Sequence, residues 1–400
     1  MARRCVGALA ALLLQPVRAE AAGAWPCQAA APARPSPSDA TQVHPAHISV
    51  AMAMGDSITA AFGARPAVTD AARGKLGHPM LPLEYRSLSF SGGEGAADEW
   101  TLPFFLRQYN GSLSGPSDRH MAVIQTPSMG YLDEGGDKLN AALTYAHSWE
   151  MEMEVEELIK QSKSIPGFGE RWKLLTLLIG ANDLCDGMPA DDGGIFAACD
   201  GNATVRTAMA DRYESSIRTA LTKVRDSFGR IIVQLLPMLS ISSVAKVRED
   251  HLWCRVLDIP KDVVNECACI DQEPSVRKTP GREQLDALDA TVAEFNSRLQ
   301  SLASEFNLQR PDFAVVAQSA ARGQPAPDAS FLGAIDCFHP SAKAQGQLAV
   351  NIWNGLFDRS SVPKPLNASS VPLCPGADAV IAVGNATAAR EGPMEGMLLV

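Results

Sequence analysis

The chain has 400 residues, of which 46% are hydrophobic, 20% charged and 6% aromatic, and its formal net charge is −10. Those proportions suit a globular fold with a sizeable core and exclude collagen, coiled coil and wholesale disorder. The acidic balance argues against nucleic acid as a partner, which needs clustered Lys and Arg, and no apolar run reaches the roughly 18–20 residues that span a bilayer.

At the N-terminus Arg3 and Arg4 precede an apolar run over 5–14, and small residues follow at Ala19-Glu20-Ala21 and Ala22-Gly23-Ala24. That order predicts a secretory signal over 1–21. Ala and Pro dominate 22–46, which reads as a flexible leader. From 47 to 358 strand and helix patterns alternate, as in a single domain. Strands are predicted over 48–54, 83–90, 173–179, 230–236 and 313–317. The third of them, beginning Lys173-Leu174-Leu175, is almost continuously apolar, as a strand buried on both faces requires. Helices are predicted over 150–163, 204–228 and 283–306, and from Pro340 to Phe357. Tyr213, Ile217, Leu221 and Val224 share one face of the second, and Leu288, Val292, Phe295 and Leu299 one face of the third. The acidic run from Glu150 to Glu157 reads as a solvated helix face. Residues 359–400 read as an irregular tail.

Without Cys5, eight cysteines remain: Cys27, Cys185, Cys199, Cys254, Cys267, Cys269, Cys337 and Cys374. An even number in an oxidising compartment predicts disulfides. Cys185 with Cys199, and Cys254 with Cys267 or Cys269, are the expected local pairs, with overall connectivity left open. Cys267-Ala268-Cys269 is the only close pair, so a zinc site is disfavoured. Sequons at Asn110, Asn202, Asn367 and Asn385 agree with a secretory route, and together these features predict a secreted or lumenal protein.

Strands alternating with helices predict a parallel sheet, here of five strands, covered on both faces, with the functional site beyond the strands' carboxyl ends. Four candidate segments follow predicted strands. Gly55-Asp56-Ser57 offers a hydroxyl on a strand-to-helix turn, although Ser and Asp there also serve as helix caps. Ser91-Gly92-Gly93-Glu94-Gly95 is a turn in which glycine lets a backbone N–H approach a ligand. Gly180-Ala181-Asn182-Asp183 offers a side-chain N–H donor of the kind that holds an oxyanion. Asp336-Cys337-Phe338-His339 places a carboxylate three residues before an imidazole, close enough to orient it. A hydroxyl, a base with its orienting acid, and N–H donors make up a set for acyl transfer. No phosphate-binding loop occurs, and the absence of G-x-S-x-G disfavours an α/β-hydrolase.

In these four segments, in this order, the chain resembles the SGNH or GDSL hydrolases. The stretches Arg86 to Gly95, Thr101-Leu102-Pro103, Trp172 to Cys185 and Asp336 to His339 are similar to the animal-type phospholipase B branch. The likeness covers roughly 47–358; Ile58 replaces the family's usual Leu, and the glycine turn is one residue shorter than in the branch. The resemblance implies a three-layer α/β/α flavodoxin-like fold. It implies Ser57 as nucleophile, His339 as base, Asp336 as its orienting acid, and an oxyanion hole from Ser57, Asn182 and Gly93, with Gly92 the alternative donor. No metal or other cofactor is implied. The expected substrates are acyl esters of glycerophospholipids or lysophospholipids, with peripheral contact to a membrane or micelle surface and no obligate protein partner. Two other readings are a carbohydrate or small-ester acetylesterase on the same fold and a non-catalytic binding glycoprotein. A histidine base predicts rates that rise through roughly pH 6–7.

Overall fold

The computed structural model describes residues 25–28, 31–32, 35–65, 83–119, 124–132, 137–187, 194–252, 254, 266–270, 281–318, 326–357 and 369–384. The signal expected over 1–21 lies outside them, as do the sequons at Asn367 and Asn385.

Four strands form one parallel sheet in sequence order: β1 (Ile48–Gly55), β2 (Trp172–Leu178), β3 (Ile231–Leu235) and β4 (Phe313–Ala317). Each falls on a predicted strand. Every residue of β2 and β3 is buried, which is why those segments read as apolar runs without alternation. Burying each large aliphatic side chain contributes about 1.5–3 kcal/mol, so β2 anchors the sheet.

Seven α-helices accompany the sheet among the described residues: α1 (Leu102–Tyr109), α2 (Met151–Ser162), α3 (Ala181–Cys185), α4 (Ala203–Ser227), α5 (Ser242–Asp250), α6 (Arg282–Phe306) and α7 (Ala342–Gly355). The long apolar stripes of α4 and α6 face each other, and Tyr213 stacks on Phe295 with ring centroids 4.2 Å apart. Helix α2 packs beside α4, while α7 pairs with α1. The result is the expected α/β architecture of a parallel sheet layered with helices. Among the described residues no helix is long and apolar enough to cross a membrane.

The sheet has four strands, not the expected five. Residues 83–90 form a 3-10 turn at Arg86–Leu88 in place of a strand. The cause is a buried ion pair. Arg86 Nε donates to Glu84 Oε2 at 2.7 Å, and its other nitrogens donate to the carbonyls of Asn140 and Ala142 at 3.0 and 2.7 Å. Losing one partner of such a pair costs about 3–5 kcal/mol, enough to dictate local conformation over strand propensity. The free edge of β1 is covered instead by two irregular segments, through Ala51 N–H to Ser114 and Ala53 N–H to Leu139.

All eight cysteines of the expected framework are paired, as Cys27–Cys374, Cys185–Cys267, Cys199–Cys269 and Cys254–Cys337. The expected local pairs are therefore corrected. Cys267 and Cys269, two residues apart, project to different partners and tie their segment to both ends of the 185–199 region. Neither flank is wholly loose: Trp25 stacks on Phe105 at 5.4 Å, and the Cys27–Cys374 bond joins leader to tail.

Candidate active site

Strand β1 ends at Gly55, whose φ of +150° favours glycine; a Cβ there would lie 2.2 Å from the Leu178 carbonyl. The chain turns at once. Asp56 Oδ1 accepts the Ile58 N–H at 2.9 Å, and the Phe62 N–H closes onto the Ser57 carbonyl at 2.9 Å. Asp56 thus takes the turn-stabilising role, which leaves the Ser57 side chain for another partner. Below the turn, Glu154 Oε2 accepts the Gly55 N–H at 2.8 Å. Glu154 is fully buried, an exception in an acidic run whose Glu152 and Glu156 are exposed as a solvated face requires. Its position was legible: it lies three residues after Met151 and four before Leu158, on the helix's buried stripe.

His339 comes from the turn after Phe331. Asp336 Oδ1 accepts the N–H groups of Phe338 and His339 at 2.8 and 3.1 Å, and Oδ2 meets His339 Nδ1 at 2.7 Å. Three-residue spacing therefore lets one carboxylate hold both the turn and the ring. On the other side of the ring, His339 Nε2 lies 2.8 Å from Ser57 Oγ. Ser57, His339 and Asp336 are all buried and form a continuous relay.

Asn182 opens α3 just beyond β2. Its Nδ2 donates to the Ala146 carbonyl at 2.8 Å, so its second hydrogen is uncommitted among the described residues. Its neighbour Asp183 is anchored by the Ser148 N–H and hydroxyl at 2.9 and 2.6 Å. The segment around 146–148 thus positions Asn182, and nothing in its own pattern announced it. The Ser57 N–H likewise has no acceptor among the described residues.

Gly93 differs from expectation. Its N–H donates to the Ser89 carbonyl at 3.0 Å, and the Gly92 N–H donates to Ser89 Oγ at 3.0 Å, so both candidate donors are spent inside their turn. Gly93 is glycine for close packing: a Cβ would lie 2.4 Å from the Ser87 carbonyl. Thr101 Oγ1 donates to the Gly93 carbonyl at 2.8 Å and caps α1, which explains the Thr101-Leu102-Pro103 motif. In this turn the Ser91 N–H has no acceptor among the described residues. The Gln345 side chain bridges the neighbouring Phe90 N–H and Ile58 carbonyl at 2.9 Å each, tying this turn to that of Ser57.

Burial disfavours an imidazolium at His339, but the charge and hydrogen bond of Asp336, with Glu266 and Asp56, outweigh it and lift His339 to about 9. Asp336 is held below its usual value: burial opposes ionisation, and the charge and hydrogen bonds of His339 overcome it. Burial raises Asp56 to about 6. A base must be neutral to accept a proton, so if His339 serves as one, its raised value would set the acid limb above the roughly pH 6–7 expected of an ordinary imidazole. Glu266, Asp336 and His339 offer ligand atoms within 4.8 Å of one another. Both ring nitrogens are engaged in the relay, so a metal ion could reach the imidazole only by displacing Ser57 from Nε2 or Asp336 from Nδ1.

An apolar cavity borders His339. Its walls include Ile58, Met238, Leu239, Val244, Phe331 and Leu348, and Ser240 is the one hydroxyl among its lining residues.

Of the sequons within the described residues, Asn110 spends its Nδ2 on the carbonyls of Ala46 and Ile48 at 3.1 and 3.0 Å. Asn202 caps α4 through its Oδ1 and is exposed.

This relay, beyond the carboxyl ends of a parallel sheet, is the arrangement of a serine hydrolase. Residues 52–352 match the family model for GDSL-like lipase/acylhydrolase, and the chain belongs to that family. Among curated relatives, membrane-associated phospholipase B1 from Rattus norvegicus is 28% identical over 348 residues, which cover 83% of this chain and 20% of that protein. The Homo sapiens protein of the same name is 28% identical over 347 residues, covering 81% and 21%. The chain spans about one fifth of the length of these relatives. Among solved structures, an extracellular lipase from Streptomyces rimosus matches 76% of this chain and 99% of its own, at 13% identity and a TM-score of 0.35.

Proposed function

We propose that this chain is a secreted or lumenal serine esterase that hydrolyses acyl esters of glycerophospholipids or lysophospholipids. Ser57 Oγ attacks the ester carbonyl while His339 Nε2 accepts its proton. His339 then protonates the departing alcohol oxygen, which leaves an acyl group on Ser57. Water, giving a proton to His339, releases the fatty acid and restores the hydroxyl. Asp336 keeps the ring oriented and stabilises its charged form. The oxyanion is held by the Ser57 N–H and the uncommitted hydrogen of Asn182, with the Ser91 N–H in place of Gly93 as third donor.

The observation that carries this reading is the Ser57–His339–Asp336 relay, whose His339 borders an apolar cavity. A cavity walled almost wholly by apolar side chains suits an aliphatic acyl chain better than an acetyl group. The relatives' phospholipase B1 name agrees with a lipid substrate. Four disulfides fit an oxidising compartment, and with the signal proposed over 1–21 they favour the secretory route.

Comparing a lysophospholipid with a short acetyl ester tests the substrate. The wild type is expected to prefer the lysophospholipid. Leu239→Trp, which narrows the cavity, is expected to lose about 10-fold or more on the long chain while keeping acetyl ester turnover. Equal losses on both substrates, or a wild type confined to acetyl esters, contradicts the acyl-chain reading.

A further inference from the structure

Glu266 takes no part in the relay, yet its carboxylate lies within 4.8 Å of ligand atoms of both Asp336 and His339. It does not arrive there by chance of a long loop. The next residue, Cys267, is bonded to Cys185 at the end of α3, and Cys269 is bonded to Cys199. The Ala268 N–H also donates to the Cys185 carbonyl at 2.9 Å. One covalent link and a backbone bond therefore fix the Glu266 segment to the end of the helix that carries Asn182, and a second covalent link ties it to Cys199.

The groups that face His339 can be taken element by element. Asp336 lies on its own turn, Asp56 on the turn after β1, and Glu266 on the disulfide-bound segment. The rings of Phe62 and Phe338 cover the imidazole with centroids 4.6 and 5.3 Å away. Behind Asp56 stand Asp183 and His147, which act on Asp56. The imidazole thus meets anions and aromatic rings.

We propose that Glu266 is a positioning residue: a second carboxylate, fixed by the two disulfides, that stabilises the His339 imidazolium formed when Ser57 gives up its proton. This rests on the proposed relay chemistry. Its consequence is a trade. An anion beside the ring favours the charged form, which helps the step that creates the imidazolium. The same anion keeps the resting base protonated to higher pH, so the acid limb of activity moves up.

The test compares kcat and KM against pH, on a soluble short-chain ester with EDTA present, for wild type, Glu266→Gln and Glu266→Asp. Glu266→Gln is expected to move the acid limb down by about 0.5–1 pH unit and to lower plateau kcat several-fold with KM unchanged. Glu266→Asp, which keeps the charge, is expected to restore most of both effects. An unmoved limb, or equal losses at every pH in both variants, overturns the proposal, because a merely structural residue behaves that way. A readout independent of turnover is the NMR titration of the His339 ring in Ser57→Ala against Ser57→Ala with Glu266→Gln. A lower ring pKa in the double variant supports the proposal, and identical titrations overturn it. Failure of the relay reading shows separately, as turnover that survives in Ser57→Ala.

Discussion

The turn that carries His339 and the turn that carries Gly92 and Gly93 are built in opposite ways. In the first, Asp336 satisfies two backbone N–H groups and the ring from within four residues, so its geometry is local. In the second, Gly93 packs against the Ser87 carbonyl, Thr101 binds the Gly93 carbonyl, and Gln345 in α7 binds the Phe90 N–H. Its geometry depends on distant chain. A local turn can be read as chemistry from spacing alone. A turn held from outside shows its glycines but not which of its N–H groups is left unspent.

The largest effect is expected at the local turn. Asp336→Asn removes the charge that orients and stabilises His339, and a loss of about 10⁴ in kcat is expected with the fold intact. A loss below about 10-fold would show that the ring holds its tautomer without Asp336. A milder pair sharpens the contrast between donors. Asn182→Ala is expected to lose about 10²–10³ in kcat, well beyond what the about 1–3 kcal/mol of stability lost with its bond to the Ala146 carbonyl would explain, since its free hydrogen acts on developing charge. Gly93→Ala is expected to act through packing, costing about 1–3 kcal/mol in thermal or denaturant unfolding, because its Cβ meets the Ser87 carbonyl. If Gly93→Ala instead lost 10² in kcat at unchanged stability, the Gly93 N–H would regain the oxyanion role.

Much of the fold was legible because burial leaves a mark. The apolar run from Leu174 to Leu178 marked β2, and the stripes of α4 and α6 marked their shared interface. The missing fifth strand was illegible for a physical reason. Residues 83–90 have strand-like composition, but Glu84 and Arg86 are consumed in a buried pair whose other partners lie near Asn140. The relay residues Ser57, Asp336 and His339 were legible because each follows a predicted strand and supplies a distinct chemical part. Glu266 was not, since only the Cys185–Cys267 and Cys199–Cys269 bonds bring it to the ring, and connectivity has no signature in spacing. Glu154 lies between these cases: its helical position marked it as buried, and its acidic neighbours masked it.

The central claim is that Ser57 is an activated nucleophile. Its most direct measurement is labelling of the purified protein by a fluorophosphonate, with the modified residue located by peptide mass spectrometry. The account predicts stoichiometric label on Ser57, with both label and ester hydrolysis abolished in a folded Ser57→Ala protein. Label on another residue, or ordinary hydrolysis by that variant, contradicts it.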